Sequence, residues 1–167
     1  CSYGTAENLL HRAKVAPGEP VLVTGASGGV GAAAVQLARR RGAEVIALCG
    51  ADKQDAVRAL GAGRTLPRGA PLLPTLGADS VDCVVDLVGG PQWPELLEVL
   101  RPSGRYAVSG AIAGPIVELD LRRLYLKDLT LLGCTTQEAA VFCDLAGYVE
   151  RGEIRPPFAA TYPLAEI

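Results

Sequence analysis

The run Thr24-Gly25-Ala26-Ser27-Gly28-Gly29-Val30-Gly31 holds the residues whose types and spacing most clearly imply chemistry. It lies between the apolar stretch "PVLV" and an amphipathic stretch that begins at Val30. A strand running straight into a glycine-rich turn and a helix makes an anion site. The first-turn N–H groups of a helix are unpaired, and its dipole favours negative charge. Phosphate is the natural occupant. Gly28 lets the backbone approach a pyrophosphate with no side chain in the way, and Gly31 lets the helix pack closely on the strand. Ala26 stands where the dinucleotide fingerprint usually has its first glycine. Two registers fit the same run: T-G-x-x-x-G-x-G from Thr24, or A-x-G-x-x-G from Ala26.

In dinucleotide-binding domains the second strand ends, about 20 residues on, in an acidic residue that accepts hydrogen bonds from the adenosine ribose. Here "VIALCGADK" puts Cys49 at that point. A neutral residue followed by Gly50 leaves room for a 2′-phosphate, and Lys53 could supply charge, so NADP is favoured over NAD. Asp52, in the same turn, keeps NAD open through a carboxylate that could reach the ribose.

The elements that must position these residues read as alternating strands and helices around a mostly parallel sheet. Residues 5 to 14 place Ala6, Leu9, Leu10 and Ala13 at helical spacing, ended by the turn "APGE". "PVLVT" is the first strand. The helix from Val30 buries Val30, Ala34, Leu37 and Ala38 along one stripe and finishes in Arg39, Arg40 and Arg41, where cations suit the negative end of the dipole. "AEVIAL", "RTLP", "VDCVVDLV", "GRYAVSG" and "LTLLGC" supply five more strands. The apolar "VDCVVDLV" suits a central strand buried on both faces. "KQDAVRAL", "PELLEVL" and "AAVFCDLAGYVERG" supply helices, and "ATYPLAEI" begins another. The expected fold is an α/β, Rossmann-type doubly wound sheet of six strands with helices on both faces, one domain over residues 1–167.

Composition narrows the function classes. The chain has 167 residues, 49% hydrophobic and 20% charged, with a formal net charge of −2. That balance argues against nucleic acid as a partner. No apolar run reaches the ~18 residues of a membrane span, and a cytoplasmic protein is expected. The five cysteines are scattered without a Cys-x-x-Cys pair and His11 is the single histidine, so no metal is expected. The absence of methionine suggests a piece of a longer protein.

The T-G-x-x-x-G-x-G register resembles short-chain dehydrogenases, which carry their chemistry on a Tyr-x-x-x-Lys pair. None of Tyr3, Tyr106, Tyr125, Tyr148 and Tyr162 has a lysine four residues later. The A-x-G-x-x-G register, together with "YGTAENLL", "VTGASGGVGAAAVQLARRRGAEVIA", "ALGAG", "VDCVVDLVGG", "LRPSGRYAVSGA" and "LYLKDLTLLGC", resembles the medium-chain dehydrogenase/reductase superfamily. The resemblance is to its quinone-oxidoreductase-like and alcohol-dehydrogenase-like members and covers nearly the whole chain.

That resemblance implies the cofactor domain of an NAD(P)-dependent oxidoreductase that moves hydride between nicotinamide and a carbonyl, quinone or activated double bond. It implies that Ser27, Gly28, Gly29 and Val30 cradle the pyrophosphate, and that Cys49, Gly50 and Lys53 meet the adenosine end. Val88, Gly89, Gly110 and Ala111 would line the cleft toward the nicotinamide. The small-molecule substrate would be bound mainly by a separate catalytic domain, and the sixth strand, "LYLKDLTLLG", would pair across a two-fold axis in a homodimer. No residue here is assigned as catalytic. Tyr125 and Lys127 fall on the candidate interface, and Trp93 reads as a packing residue. Two alternatives stay open: the enoyl-reductase portion of a modular synthase, or a dinucleotide-binding or dimerisation module without turnover of its own.

Overall fold

The computed structural model describes residues 1–158 and 160–166. Helix α1 (Ser2–Arg12) leads into strand β1 (Pro20–Val23), helix α2 (Gly29–Arg40) and strand β2 (Glu44–Cys49). A single 3-10 turn then precedes α3 (Gln54–Ala59), followed by β3 (Arg64–Pro67), α4 (Leu72–Leu76) and β4 (Val81–Asp86). The chain continues through α5 (Trp93–Val99), β5 (Leu100–Val108), α6 (Leu121–Leu126), β6 (Thr130–Gly133) and α7 (Ala139–Glu150). Leu164–Glu166, within "ATYPLAEI", form a 3-10 turn, and Ile167 lies outside the described residues.

The strands form one sheet in the order β3-β2-β1-β4-β5-β6, and every pairing is parallel. This is the doubly wound Rossmann order, with the direction of winding reversing between β1 and β4. Strand residues alternate between two apolar layers, as the period of two requires. Val21 and Val23 pack with Leu9, Leu10, Val35, Leu37 and Leu145 from α1, α2 and α7. Leu22 and Val84 pack on the other face with Leu72, Trp93, Leu96 and Leu97 from α4 and α5. All six residues of β4 are buried, as its apolar run requires. Fully burying a leucine contributes about 1.5–3 kcal/mol, and Leu9, Leu10, Leu22, Leu37, Leu72, Leu96, Leu97 and Leu100 are all fully buried.

The structure moves several boundaries. The first helix starts at Ser2 and ends at Arg12 rather than spanning 5–14, because Lys14 takes a positive φ of 51° and turns the chain. Strand β4 stops at Asp86 instead of running on to Val88, since the Asp86 carboxylate takes the N–H groups of Val88 and Gly89 and folds them into a turn. Strand β5 begins at Leu100, earlier than "GRYAVSG", with a register shift against β4 between Val81 and Cys83. Helices α4 and α6 carry no periodic signal of their own. The first is five residues long and holds Pro74; the second is six residues long and starts where the Asp120 side chain accepts the Arg122 N–H. The arginines at the end of α2 serve the fold: Arg41 pairs with Glu7 at 2.8 Å and Arg40 with Glu153.

Candidate cofactor site

The turn after β1 is closed by its own backbone. The Gly28 N–H donates to the Gly25 carbonyl at 3.0 Å, and the Ala32 N–H returns to the Gly28 carbonyl at 2.8 Å as the first bond of α2. The Ala26 N–H reaches across to the Leu48 carbonyl at 2.9 Å, fixing the turn against the end of β2. A Cβ on Gly31 would lie 2.2 Å from the Gly25 carbonyl oxygen and 2.6 Å from the Ala26 Cα. Only glycine lets α2 sit this close to the strand. Ser27, Gly28 and Gly29 are exposed and Val30 is half-buried, so the N-terminus of α2 is open at the point where sheet order reverses. Such crevices are where open parallel sheets bind ligands.

Beside this turn runs a groove of about 450 Å³ lined by Ser2, Tyr3, Gly29, Gln137, Phe142 and Leu145, among others. Ser2 Oγ lies 2.8 Å from where a Gly29 Cβ would be, so α1 begins against the start of α2. Neither Ser2 nor Gln137 was singled out by sequence spacing, because both reach the groove through tertiary packing.

At the end of β4 the buried Asp86 gathers donors from three segments. Thr24 Oγ1 donates to Oδ1 at 2.5 Å and the Tyr106 hydroxyl donates to Oδ2. The N–H groups of Val88 and Gly89 donate to Oδ1 at 2.9 and 3.1 Å. Thr24 Oγ1 in turn accepts the Leu87 N–H at 2.9 Å. Burial, with the Asp86 charge next in weight, pushes the Tyr106 phenol well above its ordinary value. Its proton is therefore committed to Asp86. An aspartate inside an otherwise apolar strand was the signal available in "VDCVVDLV".

This network sets the wall of the cleft. A Cβ on Gly110 would stand 2.5 Å from the Leu87 carbonyl oxygen, and the Ala113 N–H donates to the Val88 carbonyl at 2.9 Å. The segments after β4 and β5 are thereby held together. Gly89, Gly110 and Ala111 line a mainly apolar cavity of about 260 Å³ with Trp93, Tyr106 and Val108. Val88 is half-buried beside them. Trp93 packs as expected, edge-on to Tyr106 with centroids 4.7 Å apart, its Nε1–H donating to the Glu118 carbonyl at 3.0 Å.

The far end, past β2, is built differently. The Cys49 side chain is buried in the core, and that burial raises its thiol pKa against the opposing pull of the Arg58 guanidinium. The thiol is therefore turned away from the rim, which Cys49 borders through its backbone next to Gly50. A Cβ on Gly50 would lie 2.9 Å from Asp52 Oδ1, and Lys53 Nζ is 3.2 Å from Asp52 Oδ2. The expected charge donor and the competing carboxylate are thus paired with each other. Thus Ser27, Gly28, Gly29 and Val30 share the α2 terminus, Gly89, Gly110 and Ala111 share the apolar cavity, and Cys49, Gly50 and Lys53 share the rim.

Known proteins resemble the chain in sequence and in fold. The family model described as zinc-binding dehydrogenase matches residues 29–150. The chain is 34% identical over 172 residues to acryloyl-coenzyme A reductase of Metallosphaera sedula, covering 100% of this chain and 50% of that protein. It spans about half the length of the curated relatives it matches. A thermostable alcohol dehydrogenase from Pyrobaculum aerophilum superimposes with a TM-score of 0.81 at 36% identity, covering 92% of this chain and 46% of that one. The 2-octenoyl-CoA carboxylase reductase CinF, solved with NADP and 2-octenoyl-CoA, superimposes with a TM-score of 0.88 at 26% identity, covering 99% and 43%. Among the described residues no group of three or more His, Cys, Asp or Glu side chains is arranged to hold a metal ion. The residues present therefore do not fit the zinc in the family's description. With its strand order, its closed glycine turn and these relatives, the chain belongs to the zinc-binding dehydrogenase family, as the cofactor-binding domain of the medium-chain dehydrogenase/reductase superfamily.

Proposed function

We propose that residues 1–167 form the NADP(H)-binding domain of an oxidoreductase whose catalytic domain is a separate part of the protein. The reaction is hydride transfer between the nicotinamide and a carbonyl, a quinone or an activated double bond. What supports this above all is the open N-terminus of α2 at the β1/β4 reversal, held in shape by the Gly31 contact and bordered by the Asp86 turn. Ser27, Gly28, Gly29 and Val30 would hold the pyrophosphate through backbone N–H groups. The Cys49 backbone, Gly50 and Lys53 would meet the adenosine ribose. Val88, Gly89, Gly110 and Ala111 would line the nicotinamide end, with Asp86 and Tyr106 holding that wall in place from behind.

When bound, the nicotinamide supplies or accepts the hydride, and the protein contributes position and electrostatics. The Tyr106 hydroxyl, donated to Asp86, orients the wall rather than protonating substrate. Among substrates, the double bond of an unsaturated acyl thioester is favoured, because acryloyl-coenzyme A reductase and the CinF structure both carry such substrates in their names.

Two finer points belong to the same reading. Strand β6 lies at the sheet edge, flanked by exposed Leu121, Tyr125 and Leu126. Unpaired edges invite pairing, so the protein is a homodimer through β6. Its cysteines among the described residues are all free thiols, which suits the reducing cytoplasm. Among the described residues no helix is long and apolar enough to cross a membrane.

The test is titration of the full-length protein with NADPH and NADH, followed by nicotinamide fluorescence, beside Gly29→Val. That side chain would meet Ser2 and fill the pyrophosphate position. Binding of NADPH by the wild type, and its loss in a variant that still folds, is the expected outcome. A folded wild type that binds neither cofactor overturns the reading.

A further inference from the structure

Resting on the reading that the cleft takes a nicotinamide dinucleotide phosphate, we propose that Arg68 is the residue that selects NADP(H) over NAD(H), by pairing with the 2′-phosphate. Strands β2 and β3 run in parallel register with Cys49 opposite Pro67, and the Arg68 N–H donates to the Cys49 carbonyl at 2.7 Å. Arg68 is therefore the first residue past β3, alongside Gly50, the first past β2. Neighbouring strands lie about 4.8 Å apart, a gap an arginine side chain can span. Its guanidinium can thus reach the ribose position beyond β2.

The charges around that position single it out. Lys53 is 3.2 Å from Asp52, and Arg58 is 2.7 Å from Asp55 and 3.2 Å from the Gln54 side-chain oxygen. Each of those cations is already opposed by a carboxylate. Arg68 is exposed, and among the described residues no carboxylate pairs with it. Asp52 also holds its carboxylate over Gly50, where it would repel a phosphate. Lys53 is spent largely in cancelling that repulsion, which leaves Arg68 as the net positive charge at the rim. A planar guanidinium also matches a phosphate with two parallel N–H donors, a geometry the lysine ammonium lacks.

The experiment compares NADPH and NADH dissociation constants in the full-length wild type, Arg68→Gln and Lys53→Gln, with 2′-AMP as a competitor that carries the same phosphate without nicotinamide. Charge-assisted hydrogen bonds of this kind translate to a weakening of about 10- to 100-fold. Arg68→Gln is expected to weaken NADPH and 2′-AMP by that factor, to leave NADH within about twofold, and to flatten the salt dependence of NADPH binding. Unchanged NADPH affinity overturns the proposal, as does equal weakening of both cofactors, which would place the guanidinium on the adenine ring instead. Loss of preference in Lys53→Gln alone overturns it too. A folded wild type that binds neither cofactor overturns the dinucleotide reading and this proposal together, whereas the preceding outcomes leave the dinucleotide reading standing.

Discussion

The two ends of the cleft are made of different material. At the β1/β4 reversal the walls are backbone and buried side chains: the Gly31 contact, the Ala26 bond to Leu48, and Asp86 with donors from Thr24, Tyr106, Val88 and Gly89. At the rim past β2 and β3 they are exposed charges, Asp52, Lys53, Arg58 and Arg68, on the surface of a 3-10 turn and two short elements. On the proposed reading, the first end would set whether a dinucleotide fits at all, and the second which one is preferred. Changes at the first should therefore damage folding, and changes at the second should change only selectivity.

The largest effect is expected from Gly31→Ala. Its Cβ would overlap the Gly25 carbonyl, and relieving the clash means moving α2 off the strand at about 3 kcal/mol, the upper range for overpacking. Thermal unfolding reads this, and a melting temperature within a degree of wild type would break the contrast. Asp86→Ala comes next. It removes the acceptor shared by two hydroxyls and two backbone N–H groups; the hydroxyls can rotate toward other acceptors, which holds the net loss to about 2 kcal/mol, within the range for an unsatisfied buried group. Tyr106→Phe, which removes one donor, should cost about 1 kcal/mol. Denaturant titration separates the two.

Alkaline pH tests the same buried end. Burial pushes the Cys83 thiol up to about 12 from 9.0 and raises the Tyr106 phenol above its ordinary 10.0. A raised pKa means that the folded state keeps a proton the unfolded chain has released. Stability is therefore unaffected below the unfolded values and falls as pH rises, from about 9 for Cys83 and from about 10 for Tyr106. Cys83→Ala should shrink the first part of the fall, to which the buried thiols of Cys49 and Cys134 also contribute, and Tyr106→Phe the second, to which Tyr3 contributes, as read by unfolding at stepped pH. A fall of the same shape in both variants would assign it to other groups.

The smallest effect is at the rim. Asp52→Asn removes an exposed carboxylate paired with Lys53, and exposed pairs are worth little. NADPH should tighten by roughly two- to fivefold with no change in melting temperature. Weaker NADPH binding would mean that Asp52 holds Lys53 in place rather than opposing the phosphate, and would blur the line drawn between the two ends.

Much of the fold could be read in advance. Six strands, their apolar patterns and the parallel winding follow from runs such as "PVLV" and "VDCVVD", where side-chain period and β-branching leave few options. The helices over 29–40 and 139–150 were equally plain. Helices α4 and α6 were not, because short helices carry too few residues for a period to show. The end of β4 was misplaced because Leu87 and Val88 are apolar, and only the carboxylate beneath them explains the turn. Within the site, the glycines after β1 were legible as a closed turn leading into a helix N-terminus, whereas Thr24, Asp86 and Tyr106 were not legible as one unit.

That difference has a physical cause. The sequence by itself determined the closed turn, since Gly25, Gly28 and Gly31 are near neighbours and their constraints on dihedral angle and close approach are local. It also determined the two apolar layers that cover the faces of the sheet. Only the tertiary structure decided that Asp86 meets a threonine 62 residues away and a tyrosine 20 residues away. It likewise decided that Arg68 lies beside Cys49, 19 residues back in the chain. Hydrogen bonds and charge pairs between distant segments exist only once the strand order is set, and that order comes from packing over the whole domain.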